Sequence, residues 1–414
     1  MLQIDHVYEF LSLTLFKDFE VHLCKGGVVR NSNDITINDT QVFTPGDHTL
    51  TKIMFYDQEP LLESITDRYL DVFNFPAGVT PEEILDMMQT NTMPYGYPIL
   101  PANVIEYLQQ DLSRLYKNKI IATSEKSALF DYYAVKYNAK QLYYFFHGFA
   151  ALDWYRGFYS LNYSKQVVKE YKHDFISHNR IINNDRSYRI YFVSKLVEAR
   201  LLEHGKVSFN VTDNINDDWR DEVVDPKTKL NEQARRHAEK HLTNISKLVI
   251  DQPNLPGSAS ADIPRGTDAL WNIVSETVFY YDKLHLTEKI FKPIVSKQPF
   301  MLLAAPGNLA YLRSYGFKTF EDIIDESYDL IQDPNQRTEA VVEQIAWYCA
   351  LSAEEKKAVI EAIAPIVEYN FHHFYGEFKH IITRELLDNT QTLFNELGYN
   401  NNIDYASIYH VLTN

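Results

Sequence analysis

Two carboxylates and an ammonium group crowd one stretch of the second half of the chain: Glu276, then Glu288 and Lys289 within Leu286-Thr287-Glu288-Lys289. A carboxylate accepts hydrogen bonds from ribose hydroxyls, and a lysine at a helix start adds its charge to the amide dipoles that attract phosphate. Together these groups suit a nucleotide diphosphate. The same residues also have a purely local use, in which Thr287 caps a helix, Glu288 favours its positive end and Lys289 stands in water. A second carboxylate pair, Asp57 and Glu59, ends an apolar run just before Pro60 and is placed to face a cleft. As caps of a following helix, the same two acids would do no chemistry. A third set lies in HGFAALDWYR, where Trp154 and Tyr155 could stack on a sugar or base while His147, Asp153 and Arg156 bond its polar edges. The alternative is that the aromatics pack a crossover and Arg156 pairs with Asp153. His147 is a second candidate base, because imidazole titrates near neutrality.

These residues need elements that hold them. Trp271 to Val278 reads as a strand that ends on Glu276, and Leu286-Thr287-Glu288-Lys289 opens a helix with Ile290, Phe291, Ile294 and Val295 on one side. Phe300 to Ala305 reads as a strand, Pro306-Gly307 breaks it, and a helix through Leu309, Leu312 and Tyr315 ends at Gly316, where a left-handed cap is wanted. The order strand, acidic loop, helix, strand, helix puts Glu276, Glu288 and Lys289 beyond the carboxyl ends of parallel strands, where open α/β sheets bind ligands. In the first half, residues 1–50 read as short β-like runs, Lys52 to Tyr56 and Lys119 to Thr123 as strands, Ser124 to Tyr137 as a helical stretch and Leu142 to Phe146 as a third strand. The polar run Ser164 to Ile182 reads as a linker. Beyond it, Ile190 to Ser194 as strand, Leu196 to His204 as helix and Lys206 to Val211 as strand make the first βαβ unit of a second Rossmann-like domain. Glu232 to Leu242 is a helix, and the chain is helical and amphipathic from Gln336 on.

Glu276 with Thr287-Glu288-Lys289 and the following Lys297-Gln298-Pro299-Phe300 resembles the donor-site signature of the α1,3-fucosyltransferase-like glycosyltransferases, with Thr277 where that family usually has Asn. The Phe317-Lys318-Thr319-Phe320 ending and the many tyrosines resemble its phage-encoded branch. The resemblance implies a GT-B fold: two Rossmann-like domains, residues 1–165 on the acceptor side and 183–345 binding a nucleotide-sugar, facing across a cleft, with C-terminal helices 346–414 packing back. It implies that Glu276, Glu288 and Lys289 hold the donor and that Arg200, with Lys195 behind it, meets the diphosphate, where a guanidinium binds as a bidentate fork. It further implies that Glu59, in a loose match to a Glu-Ser-Pro segment, or Asp57 is the general base of an inverting transfer to an acceptor hydroxyl. Residues of the acceptor side would be His147, Asp153, Trp154 and Arg156. A phage-like chain makes a hydroxymethylated base in phage DNA one candidate acceptor, and a glycan or small molecule another; a non-catalytic nucleotide-binding or interaction module on the same scaffold is the alternative to an enzyme.

Composition bounds these readings. With 414 residues, 45% of them hydrophobic, the chain is long enough for two cores. A formal net charge of −16 argues against broad attraction to nucleic acid or an anionic membrane, although Lys165, Lys169, Lys172, His173 and Arg180, with Arg235-Arg236-His237 and Lys240-His241, could form a local phosphate-tracking surface. Two cysteines, Cys24 and Cys349, far apart in sequence, indicate neither a disulfide framework nor a cysteine metal site and fit a reducing cytoplasm, that of a phage-infected bacterium on the resemblance. The first ten residues carry Asp5 and Glu9 and read as no signal peptide, and no apolar run approaches the ~20 residues of a membrane span. Neither GxGxxG nor GxxxxGK[ST] occurs, so dehydrogenase and P-loop readings fail. No Asp-x-Asp or His/Cys cluster stands out, and His372-His373, adjacent on a helix, point apart. The expectation is therefore no metal and no cofactor, with the nucleotide-sugar as co-substrate and protein cations stabilising the leaving group.

Overall fold

The computed structural model describes residues 4–24, 28–31, 34–37, 40–42, 52–56, 117, 119–124, 126, 128–160, 171–209, 218–225, 228–245, 248, 250, 268–280, 283–399 and 403–414. The chain is α/β and divides into two compact units, one made of Met1–Asp153 with Lys379–Asn414 and the other of Trp154–Phe378. The first boundary falls earlier than the expected 165. The expected body 346–414 is divided, and only its later part returns to the first unit.

The first unit opens on helix α1 (Ile4–Leu13) rather than on a strand, with Val7, Tyr8 and Leu11 buried. Strands β1 (Glu20–Cys24), β2 (Val28–Asn31), β3 (Asp34–Ile37), β4 (Thr40–Val42), β5 (Lys52–Tyr56) and β6 (Ile120–Thr123) follow, then α2 (Ala128–Lys136), β7 (Lys140–Tyr143) and α3 (Phe146–Ser160). The main sheet has the order β4-β1-β5-β6-β7, with β4 antiparallel to β1 and the other pairs parallel, while β2 and β3 pair separately. Continuous apolar runs such as Ile53, Met54 and Phe55, buried throughout, are what strands of a parallel sheet require. One core cluster packs Phe394 edge-on against Phe16 and stacked on Phe19, with ring centroids 5.8 and 5.5 Å apart.

The third strand of this half is shorter than expected: it ends at Tyr143, and Phe146 already starts α3. Phe145 and Phe146 are both buried, and an all-apolar run does not distinguish strand from helix by periodicity.

The second unit begins, after the crossover within α3, with β8 (His173–Asn179), where a linker was expected. Helix α4 (Tyr188–Glu198) follows, so the expected strand Ile190–Ser194 is helical and the expected helix Leu196–His204 stops at its first turn. Then come β9 (Gly205–Phe209), α5 (Trp219–Val224), α6 (Glu232–Leu242), β10 (Ala269–Ser275), α7 (Glu288–Val295), β11 (Phe300–Leu303) and α8 (Asn308–Ser314). Helices α9 (Pro334–Ala350) and α10 (Ala353–His373) complete it; a π-helical turn at Phe374–Phe378 leads to α11 (Lys379–Leu397) and α12 (Tyr405–Thr413) of the first unit. The sheet is parallel, in the order β11-β10-β8-β9. The chain leaves β8 for β9 on one side and returns to β10 on the other, so the strand order reverses between β8 and β10. That reversal opens a crevice at the carboxyl ends of the two strands. Among the described residues no helix is long and apolar enough to cross a membrane.

Candidate functional site

The carboxyl end of β10 lies at the reversal point, and its first residue beyond the strand is Glu276. The strand buries six of its seven residues, so Glu276 leaves the sheet already inside the protein, with no exposed surface. Its carboxylate is satisfied by two threonines: Oε1 accepts from the Thr287 amide at 3.1 Å, and Oε2 accepts from the Thr287 hydroxyl at 2.5 Å and the Thr277 amide at 3.3 Å. Burial pushes its pKa up, and the charge of Lys289 and the bonds from Thr287 oppose that push.

Thr287 is the N-cap of α7, its hydroxyl accepting from the Lys289 amide at 3.4 Å. The Lys289 ammonium donates to the hydroxyls of Thr287 at 3.1 Å and Thr277 at 3.2 Å and to Glu288 Oε1 at 3.2 Å. Its side chain is 29% exposed against 10% for Glu288. The three expected donor residues are therefore brought together, with different duties. Glu276 ties the strand end to the helix start and has its oxygens occupied; Lys289 is the group of the three that most faces solvent.

Donors unforeseen in the sequence hold the backbone of this loop. Arg189, buried in the first turn of α4, donates to the carbonyls of Ser275 at 2.7 Å and Ile181 at 2.9 Å, spanning the crevice between β10 and β8. The Tyr188 hydroxyl donates to the Glu276 carbonyl at 2.5 Å. Arg337, at the start of α9, donates to the carbonyls of Phe279 at 2.6 Å and Gln332 at 3.0 Å, and burial brings its pKa down to about 10. Two guanidiniums thus fix the backbone around Glu276, a use that only the folded chain reveals. Lower in the crevice, Asn179 accepts from Ser275 Oγ at 3.1 Å and donates to Ser177 Oγ at 2.9 Å.

The neighbouring helix start is closed to anions. Asp329 Oδ1 accepts from the Leu309 amide at 3.0 Å and its Oδ2 from the Ala310 amide at 3.3 Å, supplying the anion that the amino end of α8 would otherwise take from solution.

Other candidates lie elsewhere. Arg200 is exposed, with a left-handed φ of 56°, two residues past the end of α4. Because α4 runs back between two parallel strands, Arg200 stands at the amino edge of the sheet, away from Glu276. Lys195, in the last turn of α4, pairs with Glu198 at 2.6 Å and Glu339 at 3.6 Å. HGFAALDWYR is helical, so its side chains fan out: His147 is buried, Asp153 and Trp154 are partly so, and Arg156 is exposed. On a helix His147 and Trp154 share one side and Arg156 takes the opposite one. Tyr155 is buried and its hydroxyl donates to the Glu288 carbonyl at 3.4 Å, so this segment reaches the α7 start through a residue that the sequence left open between stacking on a ligand and packing. Asp57 and Glu59 lie outside the described residues.

For a metal, the fold assembles what the sequence spacing hid. Two groups of three bring their ligand atoms within 4.8 Å of one another, Asp174 with His204 and Cys349, and Glu198 with His237 and His241. In the first, Lys356 already donates to both Asp174 oxygens at 2.8 Å, and burial pushes the Cys349 thiol up to about 12, far from the thiolate a metal needs. His372 and His373 do diverge, one to Glu368 and the other to the Tyr315 carbonyl.

Comparison with protein-family models, curated proteins and solved structures found no match for this chain.

Proposed function

We propose that the chain is a nucleotide-sugar-dependent glycosyltransferase of the GT-B type, binding its donor on the second unit and its acceptor on the first. The observation that carries this reading is Lys289. Its ammonium, held by two threonine hydroxyls at the amino end of α7, is the cation best placed beside the strand-order reversal for a diphosphate. Glu288, next to it and paired with Lys289, is the carboxylate we assign to a ribose hydroxyl. Inversion at the anomeric carbon, with Glu59 or Asp57 taking the acceptor's proton, completes the scheme.

A thermal-shift panel of UDP, GDP, CDP and ADP with their sugar conjugates tests it. A ligand at ~100 times its Kd stabilises the native state by ~2.7 kcal/mol, and one nucleotide of the panel should do so. If none does, the donor site is wrong. The complete internal pairing of Glu276 favours a second reading, a scaffold that binds a nucleotide or partner without turnover. Product formation in the presence of the stabilising donor separates the two. For the acceptor, the net charge of −16 favours a glycan or small molecule over duplex DNA. Salt-sensitive retention on hydroxymethylcytosine DNA would reverse that preference.

A further inference from the structure

Helices α4 and α6 pack side by side, and at their contact Glu198, His237 and His241 converge. His237 and His241 are one turn apart on α6, the i, i+4 spacing that turns two imidazoles to one side of a helix, and their rings stack with centroids 4.3 Å apart. Their Nε2 atoms are both buried and face the Glu198 carboxylate. His237 Nε2 lies 3.1 Å from Glu198 Oε2 and His241 Nε2 lies 3.8 Å from Glu198 Oε1.

The Ser194 hydroxyl lies 2.7 Å from the Tyr191 carbonyl and 2.8 Å from His237 Nδ1, so the second nitrogen of this imidazole is held in place. Metal-bound histidines are oriented in this way by a partner on the second nitrogen. Bonds of ~2.05 Å to a tetrahedral ion put neighbouring ligand atoms ~3.3 Å apart; the 3.1 Å separation matches this, and the 3.8 Å one closes to it with a small turn of the half-exposed Glu198 side chain.

We propose that Glu198, His237 and His241 bind a divalent transition-metal ion of the zinc class, leaving one coordination position to solvent. Two imidazoles and a carboxylate suit such an ion better than magnesium or calcium, which prefer oxygen ligands. Lys195, which shares Glu198, also lies 3.6 Å from Glu339 and so keeps a carboxylate when the metal takes Glu198. The site stands at the end of α4 away from Arg189, so the ion braces α4 against α6 and takes no part in chemistry at Glu276. This assignment is independent of the glycosyltransferase reading.

The test is cobalt titration of the chelator-treated full chain. One equivalent should bind with a visible d–d absorption band and raise the melting temperature, and zinc should displace it. The double variant His237→Ala/His241→Ala should lose the band, and Glu198→Gln, altered at a half-exposed side chain, should weaken binding while melting like the wild type in chelator. Ser194→Ala should weaken cobalt binding by ~10- to 100-fold through the lost support of Nδ1. His372→Ala should change nothing. Absence of a band, its survival in the double variant, or a near-ultraviolet thiolate band that places the ion at Cys349 would each overturn the assignment.

Discussion

Glu276 and Lys289 sit side by side, yet one has no exposed surface and the other reaches water, and substitution should separate their roles. Lys289→Ala removes charge-assisted contacts worth about 1.5–3 kcal/mol, so it should weaken donor binding ~10- to 100-fold in calorimetry, and it should also lower the apo melting temperature, since its bonds to Thr277, Thr287 and Glu288 are lost. Glu276→Gln replaces an oxygen that accepts two donors with an amide, and should cost about 1–3 kcal/mol in urea unfolding at neutral pH. The pH dependence has a definite sign. Because burial raises the Glu276 pKa from the ordinary 4.5, its contribution is fully present below pH 4.5 and is lost as pH rises through the raised value. Wild type should therefore lose stability relative to Glu276→Gln as pH climbs from 4.5; a constant difference would mean the carboxylate is not desolvated. Glu276, Glu288 and Lys289 were legible in the sequence because a strand end, a loop and a helix start place them locally. Arg189 and Arg337 were not: the carbonyls they hold at Ser275 and Phe279 are 86 and 58 residues away.

Where neighbouring residues decide an element, the sequence reading holds: α7 carries its cap at Thr287, and Gly316 takes its left-handed φ of 88°. It fails where burial overrides pattern. Helix α4 is buried on nearly every side, so Ile190 to Ser194 shows no polar stripe and reads as a strand. Strand β8 fails in the opposite direction, because Ser177 and Asn179 are buried polar residues whose partners lie within the sheet or on neighbouring strands. The pairing of β8 with β9 offers a direct check. Gly205 sits opposite Phe175, and a Cβ there would collide with the phenyl ring. Gly205→Ala should destabilise the second unit by about 1–3 kcal/mol, read as a lower urea midpoint with the slope unchanged. Ser352→Ala removes the capping box at the start of α10 and should cost about 1 kcal/mol; equal midpoints would show that neighbouring helices hold α10 without it.

The two units differ in how the chain supplies them. Trp154–Phe378 is continuous, whereas the first unit needs Lys379–Asn414 to complete its core, through Phe394 on Phe16 and Phe19 and through Asn389, which donates to the Tyr143 carbonyl at 2.9 Å. Phe394→Ala should cost the first unit about 3–5 kcal/mol, and protease digestion should then cut within 1–153 before it cuts the second unit. Strands β5, β6, β10 and β11 were readable from their apolar runs, but this return of the chain was not, since nothing local to α11 names the face it covers. It has a consequence on the ribosome. At ~5–20 residues per second, the first unit waits roughly 10–45 s after its own strands emerge before its closing helix is made. The second unit, contiguous in sequence, can finish during that wait, so the part of the chain translated first is the part that folds last, and a nascent-chain chaperone should find it open.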